Sequence, residues 1–300
     1  MNSKPLIIYH ADCADGFTAS WVAQRAFARR GVEVDLHRGV YGETPPDCTG
    51  REVYLLDFSY RRPVVEAMAA VAESVTILDH HETAWKDYGE MQEGNELSFF
   101  DGKNLHAYFR RDQSGAMVTW ANFNPLGEDM NALLLVKYVM DRDLWLFQDP
   151  NSREISAWIF SFEYTMSHWD DLAAALNHKA SYGQAVTEGH AILRKHDKDI
   201  REFLATGTRK MWIGGMQVPV ANVPYHWGSD AAHALSAPAG VAFAATYYDR
   251  GDGLRVFGLR SSENGFNVGT IARKYGGGGH PHSAGFQMPM GWEGDDAPAV

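Results

Sequence analysis

Three short apolar runs in the first 80 residues (6–9, 53–56 and 74–78) each end in acidic or histidine side chains. In chain order, the polar groups that follow these runs are His10, Asp12 and Asp15, then Asp57, then Asp79, His80 and His81. Helix-like segments separate the runs, which is the βαβ alternation typical of a parallel sheet. The carboxyl ends of parallel strands lie at one edge of a sheet, so these polar groups are expected to converge there.

The sequence predicts an α/β fold with two domains, since 300 residues are ample for two. A parallel sheet with helices on both faces is expected in residues 1–184, followed by a charged connector helix in residues 185–205. Beyond that helix, two hairpin patterns and two short helical patterns predict a smaller mixed α/β domain in residues 206–300. Ser114 is expected to cap a helix over residues 115–123.

Composition narrows the functional class. With 45% hydrophobic and 22% charged residues the chain can bury sizeable cores. A net charge of −11 argues against a general nucleic-acid coat, which needs many cationic contacts to phosphates. Two cysteines cannot form a disulfide framework, so a cytoplasmic protein is expected. No apolar run reaches about 20 residues and no signal peptide is recognised, so no membrane association is expected.

The ligand types at the predicted sheet edge favour a divalent metal ion. Carboxylates and neutral imidazoles together suit Mn²⁺, and suit Mg²⁺ less well because Mg²⁺ prefers oxygen ligands and retained water.

Five segments, taken together and in order, resemble the motifs of the DHH phosphoesterase superfamily. They are residues 10–17 (HADCADGF), 56–57 (LD), 78–81 (LDHH), 141–145 (DRDLW) and 276–286 (GGGGHPHSAGF). The last is similar to the glycine-rich signature of the DHH-associated C-terminal domain. The resemblance spans residues 6 to about 288 and points to the oligoribonuclease and single-strand exonuclease branch.

The resemblance implies two divalent cations, Mn²⁺ before Mg²⁺, that share a bridging carboxylate. The metal ligands it implies are His10, Asp12, Asp15, Asp57, His80 and Asp141. Asp57, as the bridge, and His81, beside the substrate phosphate, are the implied catalytic residues. Asp79 is expected to orient a neighbouring ligand rather than to bind metal.

Two positions depart from the family pattern or leave it ambiguous. In the first motif Cys13 stands where the family commonly has an aspartate, so either Asp12 or Cys13 can supply the missing ligand. In the fourth motif Asp141 and Asp143 are two residues apart and would point to different faces of a helix. We favour Asp141 as the ligand and a structural role for Asp143.

A glycine run in the second half is expected to bind substrate. Glycine allows backbone amides to approach an anion closely, and residues 251–290 are locally basic within an acidic protein. The implied substrate-binding residues are His81, Arg260, Gly277, Gly278, Gly279 and His280.

The expected reaction is hydrolysis of phosphoester bonds in short oligonucleotides or small nucleotides by a water that two metal ions activate, in a cleft between the domains. Hydrolysis of pyrophosphate or polyphosphate is the alternative reaction. A catalytically silent binding protein on the same fold is a further alternative, which the Cys13 departure keeps open. The resemblance also allows a homodimer.

Overall fold

The computed structural model describes residues 3–89, 94–149 and 151–297. The chain divides into two compact units, Met1–Leu193 and Arg194–Val300. Among the described residues, no helix is long and apolar enough to cross a membrane.

A six-stranded sheet with the order β2-β1-β3-β4-β6-β5 forms the centre of the first unit. Its strands are β1 (Leu6–His10), β2 (Asp35–Gly39), β3 (Glu52–Leu56), β4 (Ser74–Asp79), β5 (Glu96–Phe100) and β6 (Leu105–Arg110). Each neighbouring pair is parallel except β5 with β6, which is antiparallel. The predicted parallel sheet is therefore confirmed, with one antiparallel strand at its edge.

Helices cover both faces of this sheet, as predicted. They are α1 (Ala14–Arg29), α2 (Arg62–Ala69), α3 (Glu82–Tyr88), α4 (Gly115–Phe123), α5 (Met130–Asp143), α6 (Ser152–Ile159), α7 (Met166–Leu176) and the start of α8 (Lys179–Gly207). Strand side chains alternate between the faces. In β1, Ile7 packs into the core formed with α1, α4 and α5, whereas Ile8 packs into the opposite core with residues of α2 and α3.

Local hydrogen bonds explain where two of these helices begin. The predicted cap is confirmed, because the Ser114 side chain accepts a hydrogen bond from the amide of Met117. Asp129 caps α5 in the same way, through the amide of Ala132. The Asp129 carboxylate also accepts hydrogen bonds from Arg25 and Arg29, which fastens the end of α1 to the start of α5.

The second unit has its own six-stranded sheet, with the order β11-β12-β10-β9-β8-β7. Its elements are β7 (Thr208–Ile213), β8 (Met216–Asn222), α9 (Gly228–Ser236), β9 (Ala244–Asp249), β10 (Leu254–Arg260), α10 (Val268–Lys274), β11 (Gly278–Gly279) and β12 (Ser283–Pro289). The two predicted hairpins are β7–β8 and β9–β10, and the parallel pair β8–β9 makes the sheet mixed.

The predicted connector helix is longer than its charge pattern indicated. α8 extends from Lys179 to Gly207, and the boundary between the two compact units falls inside it, after Leu193. The first turns of α8 belong to the first unit, where Ala185 is buried in the core. This part of the helix is held by apolar packing, which the charge pattern does not reveal.

Two glycines in α8 predict opposite effects of the same substitution. A Cβ atom at Gly189 would lie 1.9 Å from the carbonyl oxygen of Glu154 in α6, whereas nothing lies within 4 Å of a Cβ atom at Gly183. We expect Gly189→Ala to lower the free energy of unfolding by about 1–3 kcal/mol, because α6 must move away. Gly183→Ala should raise it by about 0.5–1 kcal/mol, because alanine favours a helix.

Urea unfolding followed by circular dichroism measures both changes. If Gly189→Ala were as stable as Gly183→Ala, the close packing of α8 against α6 would be contradicted.

Candidate metal centre

The carboxyl edge of the first sheet brings together side chains from three neighbouring strands. β1 ends at His10, β3 is followed directly by Asp57, and β4 ends at Asp79 before His80. Asp57 has a φ of +54°, in the left-handed region that non-glycine residues seldom adopt. This conformation costs energy and is a feature typical of functional sites.

Two glycines let helices approach this edge closely. A Cβ atom at Gly16 of α1 would lie 2.5 Å from the carbonyl oxygen of His10. A Cβ atom at Gly115 of α4 would lie 2.4 Å from the Cβ of Asp57. Neither distance is compatible with a larger residue, so both glycines are required for the first turns of α1 and α4 to reach the site.

The first potential ligand group consists of His10, Cys13 and Asp57. Oδ2 of Asp57 lies 3.4 Å from Nδ1 of His10 and 3.7 Å from Sγ of Cys13. One ligand atom from each residue lies within 4.8 Å of the others, a spacing that one metal ion can span.

The second potential ligand group consists of Asp15, His80 and Asp143. Nε2 of His80 lies 3.9 Å from Oδ2 of Asp15 and 3.5 Å from Oδ2 of Asp143. It also lies 3.2 Å from Oδ1 of Asp57. The two carboxylate oxygens of Asp57 therefore approach different groups, which is the position of a bridging ligand.

Asp15 is held in place by the first turn of α4. Its Oδ1 accepts hydrogen bonds from Oγ of Ser114, at 2.6 Å, and from the amide of Ala116, at 3.1 Å. The positive end of the α4 dipole adds to this stabilisation of a carboxylate. Only Oδ2 is left to face the second ligand group.

Asp79 orients the histidine that ends the motif. Its Oδ1 lies 2.7 Å from Nδ1 of His81 and accepts a hydrogen bond from the amide of His80. Asp79 is fully buried, so its contact with Nδ1 fixes the orientation of the His81 ring. The His81 side chain keeps 16% of its surface exposed, so it can meet a substrate.

Crowded buried carboxylates dominate the electrostatics of this site. Burial, followed by the charges of Asp57 and Asp143, raises the pKa of Asp15 well above its usual value. Burial works against the charged form of Asp57 too, but hydrogen bonds from His10 and His80 outweigh it and hold the pKa of Asp57 well below its usual value.

The pKa of His80 also reflects the excess of negative charge at this site. Burial lowers its pKa, but the hydrogen bond to Asp57 and the charge of Asp143 outweigh burial and raise the pKa to about 10. A site that draws a proton onto a buried imidazole so strongly is short of positive charge.

The residues present fit a divalent metal pair. Within the described chain, the buried Oδ2 of Asp15 accepts no hydrogen bond, although such atoms are rarely left unsatisfied. The buried Oδ1 of Asp57 faces imidazole nitrogens of His80 and His81, at 3.2 Å and 3.8 Å. Cations would satisfy both oxygens and reverse the local excess of negative charge. The mixture of carboxylate, imidazole and thiol donors suits Mn²⁺ or a similar transition metal better than Mg²⁺.

The structure does not bring Asp12 or Asp141, two of the predicted ligands, to the centre. Asp12 has a φ of +53°, and its carboxylate, which is 66% exposed, pairs with Arg38. Asp141 instead accepts hydrogen bonds from the hydroxyl of Ser152 and from the amide of Gln148. Cys13 and Asp143 lie where Asp12 and Asp141 were expected.

The predicted substrate-binding residues of the second unit lie at one end of its sheet. Arg260 ends β10 and pairs in register with Ser283 of β12, whose carbonyl oxygen accepts a hydrogen bond from the amide of His280. The glycines have a packing reason of their own, since a Cβ atom at Gly277 would lie 2.0 Å from the carbonyl oxygen of Gly285. Gly278 and Gly279 form β11 against β12. A role of this loop in binding stays a prediction.

Residues 229–297 match the model of the DHHA1 domain. The chain is also 25% identical over 299 residues to the uncharacterized protein R106 of Acanthamoeba polyphaga mimivirus. That match covers 93% of this chain and 66% of R106, so the chain spans just under two thirds of that relative.

The chain is also similar to solved structures. The DHH domain of a member of a family of ribosomal proteins has a TM-score of 0.58 and 14% identity, over 94% of this chain and 82% of its own. A manganese-bound exonuclease RecJ has a TM-score of 0.48 and 15% identity, over 96% of this chain and 86% of its own. The DHHA1 match of residues 229–297 and the likeness in fold to a DHH domain both agree with the resemblance that the sequence motifs indicate.

The choice between the two aspartates of the fourth motif can be tested by metal binding. We expect Asp143→Asn to weaken binding of one Mn²⁺ ion by about ten- to hundredfold, because a carboxylate donor is lost beside His80. Asp141→Asn should have a smaller effect, since its carboxylate is engaged by Ser152. Titration of free Mn²⁺ by electron paramagnetic resonance measures both. The opposite ranking would restore Asp141 as the ligand.

Cobalt spectroscopy can decide between Asp12 and Cys13. If the thiol of Cys13 binds metal, the Co²⁺-loaded protein should show a sulfur-to-cobalt charge-transfer band that Cys13→Ser removes. Cys48→Ser is the matched control, because the buried thiol of Cys48 donates to the carbonyl oxygen of Pro46. Loss of the second Co²⁺ ion in Asp12→Asn, with the band unaffected by Cys13→Ser, would contradict this assignment.

Proposed function

We propose that this protein is a metal-dependent phosphoesterase that hydrolyses phosphoester bonds of short oligonucleotides or small nucleotides. The observation that carries the proposal is the pair of ligand groups that share Asp57 at the carboxyl edge of the parallel sheet. No comparable group of buried acids and imidazoles lies elsewhere among the described residues.

Five residues would hold the two metal ions together with the bridging Asp57. They are His10 and Cys13 on one side, and Asp15, His80 and Asp143 on the other. Bound there, two divalent cations would lower the pKa of a water molecule and neutralise the charge on a phosphoryl group. Manganese is our first choice because the donors combine oxygen, nitrogen and sulfur.

His81 is proposed to position the substrate phosphate. Asp79 fixes its ring through Nδ1, and the accompanying charge raises the pKa of His81 against the opposing effect of burial. A protonated imidazole would donate a hydrogen bond to a phosphate oxygen and stabilise charge that develops during hydrolysis. His81 would thus act on the phosphate without binding a metal ion.

The DHHA1 domain is proposed to take part in substrate capture. Arg260 and the loop of Gly277, Gly278, Gly279 and His280 lie at one end of its sheet, in a locally basic part of an acidic chain. Such a group suits a terminal phosphate of a short anionic substrate better than a long duplex, which needs many cationic contacts.

One assay tests this function. The Mn²⁺-loaded protein is incubated with labelled di- to decanucleotides, cyclic dinucleotides and pyrophosphate, and the rate is compared across substrates. We expect short oligonucleotides to be hydrolysed fastest and Asp57→Ala to lower that rate by roughly a thousandfold or more, because loss of the bridge disturbs both metal sites.

Asp171→Ala is the matched control, since Asp171 is an exposed residue of α7. Faster hydrolysis of pyrophosphate than of oligonucleotides would show that the proposed substrate class is wrong. Equal rates in Asp57→Ala and Asp171→Ala would refute the metal centre. A wild-type protein that binds oligonucleotides but never hydrolyses them would instead favour a silent binding protein.

A further inference from the structure

A turn directly after the metal centre carries an unusual set of arginine and aromatic side chains. It begins at Arg142, next to Asp143, and reaches Arg153 in the first turn of α6. We call residues 142–149 and 151–153 the arginine–aromatic turn. Because the Asp143 carboxylate lies 3.5 Å from His80, this turn borders the proposed reaction site.

The backbone of the arginine–aromatic turn adopts uncommon φ angles, and Asp141 makes two of the hydrogen bonds that hold it. Trp145 and Phe147 have φ angles of +59° and +48°, a region that bulky residues seldom adopt. Asp141 fixes this shape, since its carbonyl oxygen accepts a hydrogen bond from the amide of Leu146 and its side chain accepts one from the amide of Gln148. Strain that surrounding contacts maintain in this way is common where side chains must face a ligand.

The strained turn stacks two guanidinium groups on two aromatic rings. Arg142 lies 4.3 Å from the ring centroid of Trp145, and Arg153 lies 4.0 Å from that of Phe147. The two rings meet edge to face, 5.0 Å apart. The four side chains therefore form one continuous layered group.

Arg153 is an exposed residue whose guanidinium lies over both rings. Within residues 3–89, 94–149 and 151–297 it makes no ion pair or hydrogen bond. An arginine without an acidic partner is notable in a chain of net charge −11. Its guanidinium offers a planar set of donors that matches a phosphate.

We propose that Arg142, Trp145, Phe147 and Arg153 form a subsite for one nucleotide of a single-stranded substrate. The guanidinium groups bind the phosphate that follows the scissile bond, and the base stacks on the guanidinium and aromatic layers. This inference rests on the proposed function and narrows it to substrates that carry a nucleobase. Alternation of arginine and aromatic groups is the usual means of holding single strands without sequence preference.

Asp141 acts in this proposal as a positioning residue. It touches neither metal nor substrate, but it ties the turn to Ser152 at the start of α6. The proposal thereby accounts for an aspartate in the fourth motif that lies outside the metal centre.

The test compares Arg153→Ala with the matched control Arg30→Ala. Arg30 also stacks on an aromatic ring, 4.6 Å from the centroid of Phe27, but at the end of α1 remote from the site. The kinetic constants kcat and KM are measured with Mn²⁺ for a single-stranded trinucleotide, for methyl p-nitrophenyl phosphate, which has no base, and for pyrophosphate. Circular dichroism verifies that each variant is folded.

We expect Arg153→Ala to lower kcat/KM for the trinucleotide by about ten- to hundredfold, mainly through KM. The loss for methyl p-nitrophenyl phosphate and for pyrophosphate should be clearly smaller, and Arg30→Ala should match the wild type. Arg153→Lys keeps the charge but not the planar stack. Its kcat/KM for the trinucleotide should lie between those of Arg153→Ala and the wild type.

Different failures are distinguishable. Equal losses on the trinucleotide and on methyl p-nitrophenyl phosphate, or no loss on either, would overturn the subsite but leave the proposed function intact. Equal losses on the trinucleotide and on pyrophosphate would overturn the role of the base. A wild-type protein inactive on all three substrates with Mn²⁺ would overturn the proposed function itself.

Discussion

Mutual repulsion among buried carboxylates is the constraint on which the first unit depends. Asp15 and Asp57 are each 1% exposed, and the Asp143 carboxylate approaches the same imidazole. Such a group costs several kcal/mol if it stays charged and uncompensated. The raised pKa values of Asp15 and His80 show protons compensating for the missing positive charge. Divalent cations would compensate more completely, and binding of the proposed metal ions would then stabilise the folded state.

The remaining architecture serves to bring those carboxylates together. Parallel strands place His10 and Asp57 at one edge, and the glycines at positions 16 and 115 allow two helices to reach the same edge. The first turn of α4 then satisfies one oxygen of Asp15 and leaves the other facing His80. The fit between α4 and the sheet edge is close. A methyl group added at Gly115 would clash with Asp57 and displace it.

The sequence predicts strands and helix starts well, because these follow from apolar runs and from single capping residues such as Ser114. It does not predict where the side chains of Asp12 and Asp141 lie, because their positions depend on the direction of the backbone. A left-handed φ at Asp12 turns its side chain towards Arg38, which no propensity indicates. Asp141 and Asp143 differ because α5 ends at Asp143. The Asp141 side chain accepts a hydrogen bond from Ser152, which is eleven residues further along the chain.

The proposed anionic substrate would have to approach a protein whose net charge is −11. The carboxylates of the two potential ligand groups carry negative charge that bound metal ions would neutralise. With that charge cancelled, the cations beside the centre include those of Arg142 and Arg153, each stacked on an aromatic ring. Stacking holds a guanidinium without neutralising it, unlike an ion pair, so the charge of Arg153 stays available to a phosphate. Because this positive region is small, it would suit the few nucleotides of the proposed substrate better than a long polyanion.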